Sequence, residues 1–150
     1  MAQTININYE HYTLDTLPTS DSELVKAAFE ATQQAYAPFS GFRVGAAARL
    51  RSGEIITAAN CESEVFPSGL CAERSLLHYY ATNYATDPIE ALAIASDPSE
   101  RECYPCGACR QVILDAERRQ QSPIRIIMAG GGTATTVESA ESLLPFTFRL

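Results

Sequence analysis

Ser68-Gly69-Leu70-Cys71-Ala72-Glu73-Arg74 and, later in the chain, Pro105-Cys106-Gly107-Ala108-Cys109-Arg110-Gln111 are the two stretches on which the fold turns. Each passes from turn-forming residues into a helical pattern, so each is expected to set cysteine near a helix N-terminus. The free N–H groups of a helix start stabilise thiolate charge, and a Cys-x-x-Cys step there brings two sulfurs within reach of one metal ion. Two helix starts are then expected to converge on one ion.

The chemistry follows from the residue types. Cys71, Cys106 and Cys109 offer three thiolates, and a catalytic zinc site needs three protein ligands with one position left for water. Glu73 stands two residues from the first ligand, placed to carry that water's proton. Zinc with three thiolates has a net charge of minus one, which makes its water less acidic. Arg74 and Arg110 are expected to draw charge from the sulfurs as neighbouring donors. The pattern points to metal-assisted hydrolysis.

Working outward, a helix is expected from Asp21 or Ser22, either of which can cap it, through Leu24, Ala28 and Ala35, with Pro38 as its stop. Strands at 43–50 and 54–59 are joined by the turn Arg51-Ser52-Gly53. A helix over 69–82 follows, then the apolar run 89–96, read as a buried strand. The third helix covers 106–119. Two further strands, 124–128 and 133–138, are divided by Gly130-Gly131-Gly132, which lacks the lysine of a phosphate loop and reads as a turn. The order α-β-β-α-β-α-β-β predicts an α/β fold, a three-layer sandwich around a mixed five-stranded sheet. Residues 1–19 are expected to be an N-terminal extension with weak strand character at 4–9. Residues 20–150 are expected to form one domain.

Composition limits the partners. Eleven basic against 18 acidic residues give a net charge of −7, with Lys26 the single lysine. Phosphate backbones are bound by clustered Lys and Arg, so nucleic acid is not expected as a partner and a small neutral molecule is. No stretch approaches the ~20 apolar residues of a membrane span, and no basic start with an apolar run opens the chain, so a cytoplasmic location is expected. Five cysteines in a reducing compartment read better as three metal ligands plus two others than as disulfides.

Other readings compete. Cys61 or Cys103 as a fourth ligand would make a closed structural zinc site without catalysis. Cys106 and Cys109 alone would make a redox pair. A nucleic-acid editor would need a basic track that this composition lacks. Taken singly, Phe42 is core packing, Glu62 a solvated carboxylate and Asn60 a turn residue, while His11 and His78 have no metal-like neighbours.

Cys71-Ala72-Glu73-Arg74 and Pro105-Cys106-Gly107-Ala108-Cys109-Arg110-Gln111 together resemble the cytidine deaminase family, in its short, three-cysteine, homotetrameric zinc class. Phe42-Arg43-Val44-Gly45-Ala46-Ala47, Asn60-Cys61-Glu62, Ser68-Gly69-Leu70 and Leu143-Leu144-Pro145 extend the likeness over most of the chain. The resemblance implies a cytidine-deaminase-like fold and zinc-dependent hydrolysis of cytidine and 2′-deoxycytidine to the uridine forms plus ammonia, as in pyrimidine salvage. It implies one Zn2+ per subunit on Cys71, Cys106 and Cys109, with Glu73 as proton shuttle and Arg74 bonded to the cysteines. Asn60 and Glu62 match the pair that binds sugar hydroxyls, and Phe42 an aromatic beside the pyrimidine. The Ala72 N–H should meet the base carbonyl and the Tyr104 carbonyl the amino group. Phe66 and Phe148 match aromatics that reach a neighbouring subunit's site in a homotetramer whose sites lie at subunit interfaces.

Departures gather around the sugar motif, where Glu62-Ser63-Glu64-Val65-Phe66 differs from the family's usual asparagine, small residues and tyrosine. Tyr104 also replaces the family's common serine or threonine. These departures motivate an alternative, a diverged deaminase acting on a modified cytosine nucleoside or a nucleoside antibiotic.

Overall fold

A computed structural model describes residues 1–150. Its secondary structure is β1 (Glu10–Thr13), α1 (Thr19–Ala31), β2 (Arg43–Leu50), β3 (Ile55–Ala59), α2 (Ala72–Asn83), β4 (Ile89–Asp97), α3 (Gly107–Gln120), β5 (Arg125–Gly130) and β6 (Thr133–Val137). The strands form one sheet in the order β1-β6-β5-β4-β2-β3. Only β4 and β5 run parallel, because the connection between them is the crossover helix α3; the remaining pairs are antiparallel.

Alternation along the central strands sorts side chains onto the two faces. Ala91, Ala93 and Ala95 of β4 pack with Leu24, Val25 and Ala28 of α1. Leu92 and Ile94, on the opposite face, pack with Leu76 and Leu77 of α2 and Ile113 and Leu114 of α3. Each fully buried Leu or Ile contributes roughly 1.5–3 kcal/mol, so the α2–α3 face carries more of the apolar stabilisation than the alanine-lined face. Small residues have a separate use under α1: a Cβ at Gly45 would lie 2.0 Å from the Ala28 carbonyl oxygen. The helix therefore rests directly on the β2 backbone. The three layers are those expected.

The five expected strands are present in a mixed sheet, and β1 adds a sixth at its edge. It lies at Glu10–Thr13, later than the strand character expected at 4–9, and pairs with β6 in the register His11↔Thr135. Leu17, just beyond it, is buried against the α1 face. Asp21 does not cap α1, which starts at Thr19 with Pro18 in the cap position. Its buried carboxylate instead accepts from the Arg125 guanidinium at 2.8–2.9 Å. The end of α1 tightens into a 3-10 turn over Thr32–Gln34. The second helix begins at Ala72 rather than 69, because Leu70 is extended and exchanges two backbone hydrogen bonds with Cys61, both 3.0 Å. No helix is long and apolar enough to cross a membrane.

Candidate active site

Cys71 is the N-cap of α2 and Cys106 the N-cap of α3, with Cys109 in the first turn of α3. Because α2 and α3 share a face of the sheet, the two helix starts meet. Sγ of Cys71 lies 4.0 Å from Sγ of Cys106, which lies 3.5 Å from Sγ of Cys109, and all three fall within 4.8 Å of one another. Zn–S bonds of about 2.3 Å set sulfurs about 3.8 Å apart on a tetrahedron, so the three fit a zinc ion. Neither Cys61 nor Cys103 belongs to the group, which leaves three protein thiols rather than the four of a closed site.

The thiols share charge. Hydrogen bonding from Cys109, aided by Arg74 and Cys106, lowers the Cys71 thiol to about 5 against the opposing effect of burial. The same contact with Cys71, reinforced by burial, pushes the Cys109 thiol up. Such a set holds negative charge readily at one sulfur and protons at its neighbour, and a divalent cation satisfies both. Arg74 donates from a terminal guanidinium nitrogen to Cys71 Sγ at 3.8 Å. Arg110 departs from its expected role: it donates to the carbonyls of Pro105, at 2.8 Å, and Leu143, at 3.2 Å, and so ties the loop before α3 to the C-terminal segment.

Glu73 occupies the first turn of α2 and is 3% exposed. Burial, with the nearby Cys71 thiolate, raises its carboxyl to about 7. A carboxyl in that range releases and recaptures a proton near neutral pH. Ala72, between Cys71 and Glu73, is fully buried at the first helical position, where its N–H has no partner within the helix. Cys103 packs nearby, its thiol raised to about 11 chiefly by burial.

Asn60 and Glu62 lie just beyond β3 and brace the loop that enters β2. Asn60 Oδ1 accepts from the Val44 N–H at 2.8 Å, and its Nδ2 donates to the Phe42 carbonyl at 2.9 Å. Glu62 Oε1 accepts from the backbone N–H groups of Phe39, at 2.9 Å, and Ser40, at 3.1 Å, and bonding to Ser40 holds this carboxyl below the usual range. Both bonds use one carboxylate oxygen. A cavity of about 230 Å³ lies among Phe39, Asn60, Glu62, Phe66, Cys71 and Arg74.

Of the other expected residues, Phe66 lines this cavity, while Phe42, Tyr104 and Phe148 do not. The Phe42 ring, partly exposed, lines an adjoining hollow with Ser96 and Pro98. Tyr104 faces a wider groove and hydrogen-bonds Glu102. Phe66 meets Phe39 edge-on, centroids 6.1 Å apart, at the cavity rim. Phe148 is exposed on the C-terminal segment, where its carbonyl accepts from Arg118 at 3.1 Å. Sequence reasoning missed Phe39, Ser40 and Glu102. Nothing local marks them, since each matters through a contact with a distant segment.

Comparison with known proteins agrees with this geometry. Residues 18–122 match the family described as cytidine and deoxycytidylate deaminase zinc-binding region. A cytidine deaminase of Halalkalibacterium halodurans is 39% identical over 92 residues, covering 61% of this chain and 68% of that protein. A blasticidin-S deaminase of Bacillus cereus is 31% identical over 134 residues, covering 85% and 91%. The crystal structure of cytidine deaminase from Burkholderia pseudomallei superposes with a TM-score of 0.71 at 33% identity, over 84% of this chain and 97% of that one. With three thiols gathered at two helix starts and a buried carboxyl beside them, the chain belongs to the cytidine and deoxycytidylate deaminase family.

Proposed function

We propose that this chain is a zinc-dependent hydrolase that converts cytidine and 2′-deoxycytidine to uridine and 2′-deoxyuridine with release of ammonia. The observation that carries the reading is Glu73, buried beside the three-thiol cluster with its carboxyl near 7. Zinc bound by Cys71, Cys106 and Cys109 supplies Lewis acidity that makes water a nucleophile at neutral pH. Glu73 takes a proton from the attacking water and gives it to ring N3 as the C4–O bond forms. The same carboxylate then moves the remaining hydroxyl proton at C4 to the amino group as the C4–N bond breaks and the C4 carbonyl forms, so that water plus cytidine yields uridine plus ammonia. One group acting first as base and then as acid requires a pKa between those tasks, which burial provides.

Recognition uses backbone and loop groups. The Ala72 N–H is free to meet the base carbonyl, and the Tyr104 carbonyl takes the amino group. Phe42 packs beside the pyrimidine. Asn60 and Glu62 bind the sugar hydroxyls, Glu62 through the oxygen not used by Phe39 and Ser40. The large exposure of Phe66, Phe146 and Phe148 supports a homotetramer in which Phe66 and Phe148 reach a neighbour's site. Five unpaired cysteines suit a reducing, cytoplasmic setting. Residues 20–150 act as one deaminase domain, to which the 1–19 extension contributes β1.

A second reading, a deaminase for a modified cytosine nucleoside or a nucleoside antibiotic, is favoured by the likeness to blasticidin-S deaminase and by Glu64 near the sugar-side loop. One panel separates the two. The zinc-loaded protein is given cytosine, cytidine, deoxycytidine, cytidine monophosphate and blasticidin S, and ammonia release is followed. Cytidine and deoxycytidine should react fastest. Faster turnover of blasticidin S would replace the first reading with the second.

A further inference from the structure

The segment that delivers Cys106 and Cys109 carries a buried carboxylate with no part in the chemistry above. Glu102 is four residues before Cys106, and its side chain is 6% exposed. Burying a carboxylate is costly unless its oxygens are bonded. Here they are: Oε1 accepts from the Thr133 hydroxyl at 2.6 Å, and Oε2 accepts from the Tyr104 phenol at 2.9 Å. His11 Nδ1 stands 3.3 Å from Oε1 and 3.1 Å from the Thr135 hydroxyl. One carboxylate thus joins β1, β6 and the loop into the site.

The backbone explains why Tyr104 can reach it. Glu102 makes an isolated antiparallel bridge to Gly130, and the Cys103 N–H donates to the Ala129 carbonyl at 3.1 Å. In extended chain, residues i and i+2 share a face. Glu102 and Tyr104 therefore point the same way, while Cys103 between them packs against the interior cluster around α2 and α3. The close approach depends on glycine, since a Cβ at Gly130 would stand 2.0 Å from the Arg101 carbonyl oxygen. The Tyr104 ring lines the groove of about 1070 Å³ beside β1 and β6, not the cavity of about 230 Å³ next to Cys71. Its bulk is held away from that cavity.

We propose that Glu102 is a positioning residue for the deamination. By holding the Tyr104 phenol and the Thr133 hydroxyl, it fixes residues 102–105 so that the Tyr104 carbonyl meets the amino group of the base. The proposal rests on the cytidine deaminase reading and on that role of the Tyr104 carbonyl. Small misplacements of an orienting group are costly: about 1 Å can lose ~10²-fold in rate. Because the carbonyl serves the amino group, loosening the loop acts on cytidine and not on uridine, which has no amino group to offer.

The test uses the zinc-loaded full chain and its variants Glu102→Ala, Glu102→Gln and Tyr104→Phe. Zinc content, kcat and KM for cytidine, and competitive inhibition by uridine are measured for each. Glu102→Ala should lower kcat/KM about tenfold, the equivalent of one hydrogen bond to a charged group, with zinc content and uridine inhibition unchanged within about twofold. Tyr104→Phe should lower it in the same direction, and combining it with Glu102→Ala should add little. Glu102→Gln, which keeps the shape and one acceptor, should fall between wild type and Glu102→Ala. The proposal is overturned if kcat/KM stays within about twofold of wild type, if uridine inhibition weakens in step with cytidine, or if zinc is lost. Should Glu102→Ala not fold, Glu102→Gln and Tyr104→Phe decide by the same criteria. Failure of the wild-type protein to deaminate cytidine would instead reject the proposed function.

Discussion

Replacing Glu73 with glutamine separates the chemistry of this site from its stability. The amide fills the same volume and leaves all three thiols in place, so zinc binding should persist. Proton transfer by a positioned side chain is worth about 10²–10⁴-fold, and here one carboxylate serves both transfers. A loss of about 10⁴ in kcat is expected, or ~5.5 kcal/mol at 1.36 kcal/mol per decade. The same substitution has an opposite effect on the zinc-free protein. Burial raises the Glu73 carboxyl from 4.5 to about 7. A carboxyl raised in the folded state costs nothing below the unfolded value, and its penalty grows as pH climbs from 4.5 to about 7, then levels off. Integrating that shift, wild type should lose about 2.5 kcal/mol relative to Glu73→Gln between about pH 5 and about pH 8. Any pH-independent cost of burying the amide cancels in this difference. Urea unfolding of both zinc-free proteins across that range measures it, alongside ammonia release by the zinc-loaded forms. Near-normal turnover by Glu73→Gln would remove Glu73 from the mechanism. Parallel pH profiles would mean that its carboxyl ionises as an ordinary surface group.

Three further outcomes are expected. Of the five cysteines, Cys71, Cys106 and Cys109 should resist alkylation until a chelator is added, with activity lost on chelation and restored by zinc; equal reactivity of all five before chelation would count against the three-thiol site. Gly45→Ala should destabilise the protein by about 2–3 kcal/mol in denaturant unfolding, because its Cβ would meet the Ala28 carbonyl oxygen at 2.0 Å and displace α1; an unchanged midpoint would mean that α1 does not rest on β2. Arg125→Ala should cost about 3 kcal/mol by leaving Asp21 buried beside only the more distant Arg49 at 3.9 Å, whereas a loss below about 0.5 kcal/mol would mark Asp21 as solvated.

The metal cluster and its carboxylate were legible in the chain because their geometry is local. Cys71 and Glu73 share one helix start, Cys106 and Cys109 another, and turn residues before each announce where those helices begin. The central strands were equally plain, since β4 is buried on both faces and reads as an unbroken apolar run. Boundaries and partners set by distant segments were not. Strand β1 exists because β6 offers it an edge, and the pairing His11↔Thr135 spans nearly the whole chain. Asp21 looks like a helix cap until Arg125 is brought to it. Arg110, adjacent to Cys109, turns instead to the carbonyls of Pro105 and Leu143. Tyr104 replaces a smaller residue common in the family, and only the fold shows Glu102 holding its phenol in the wider groove. What the sequence determined by itself was which three cysteines gather and which carboxyl is buried beside them, because helix starts and short spacings specify both. What only the tertiary structure decided was which polar groups those helices and loops lean on, because hydrogen bonds between segments far apart in sequence leave no periodicity or spacing to read.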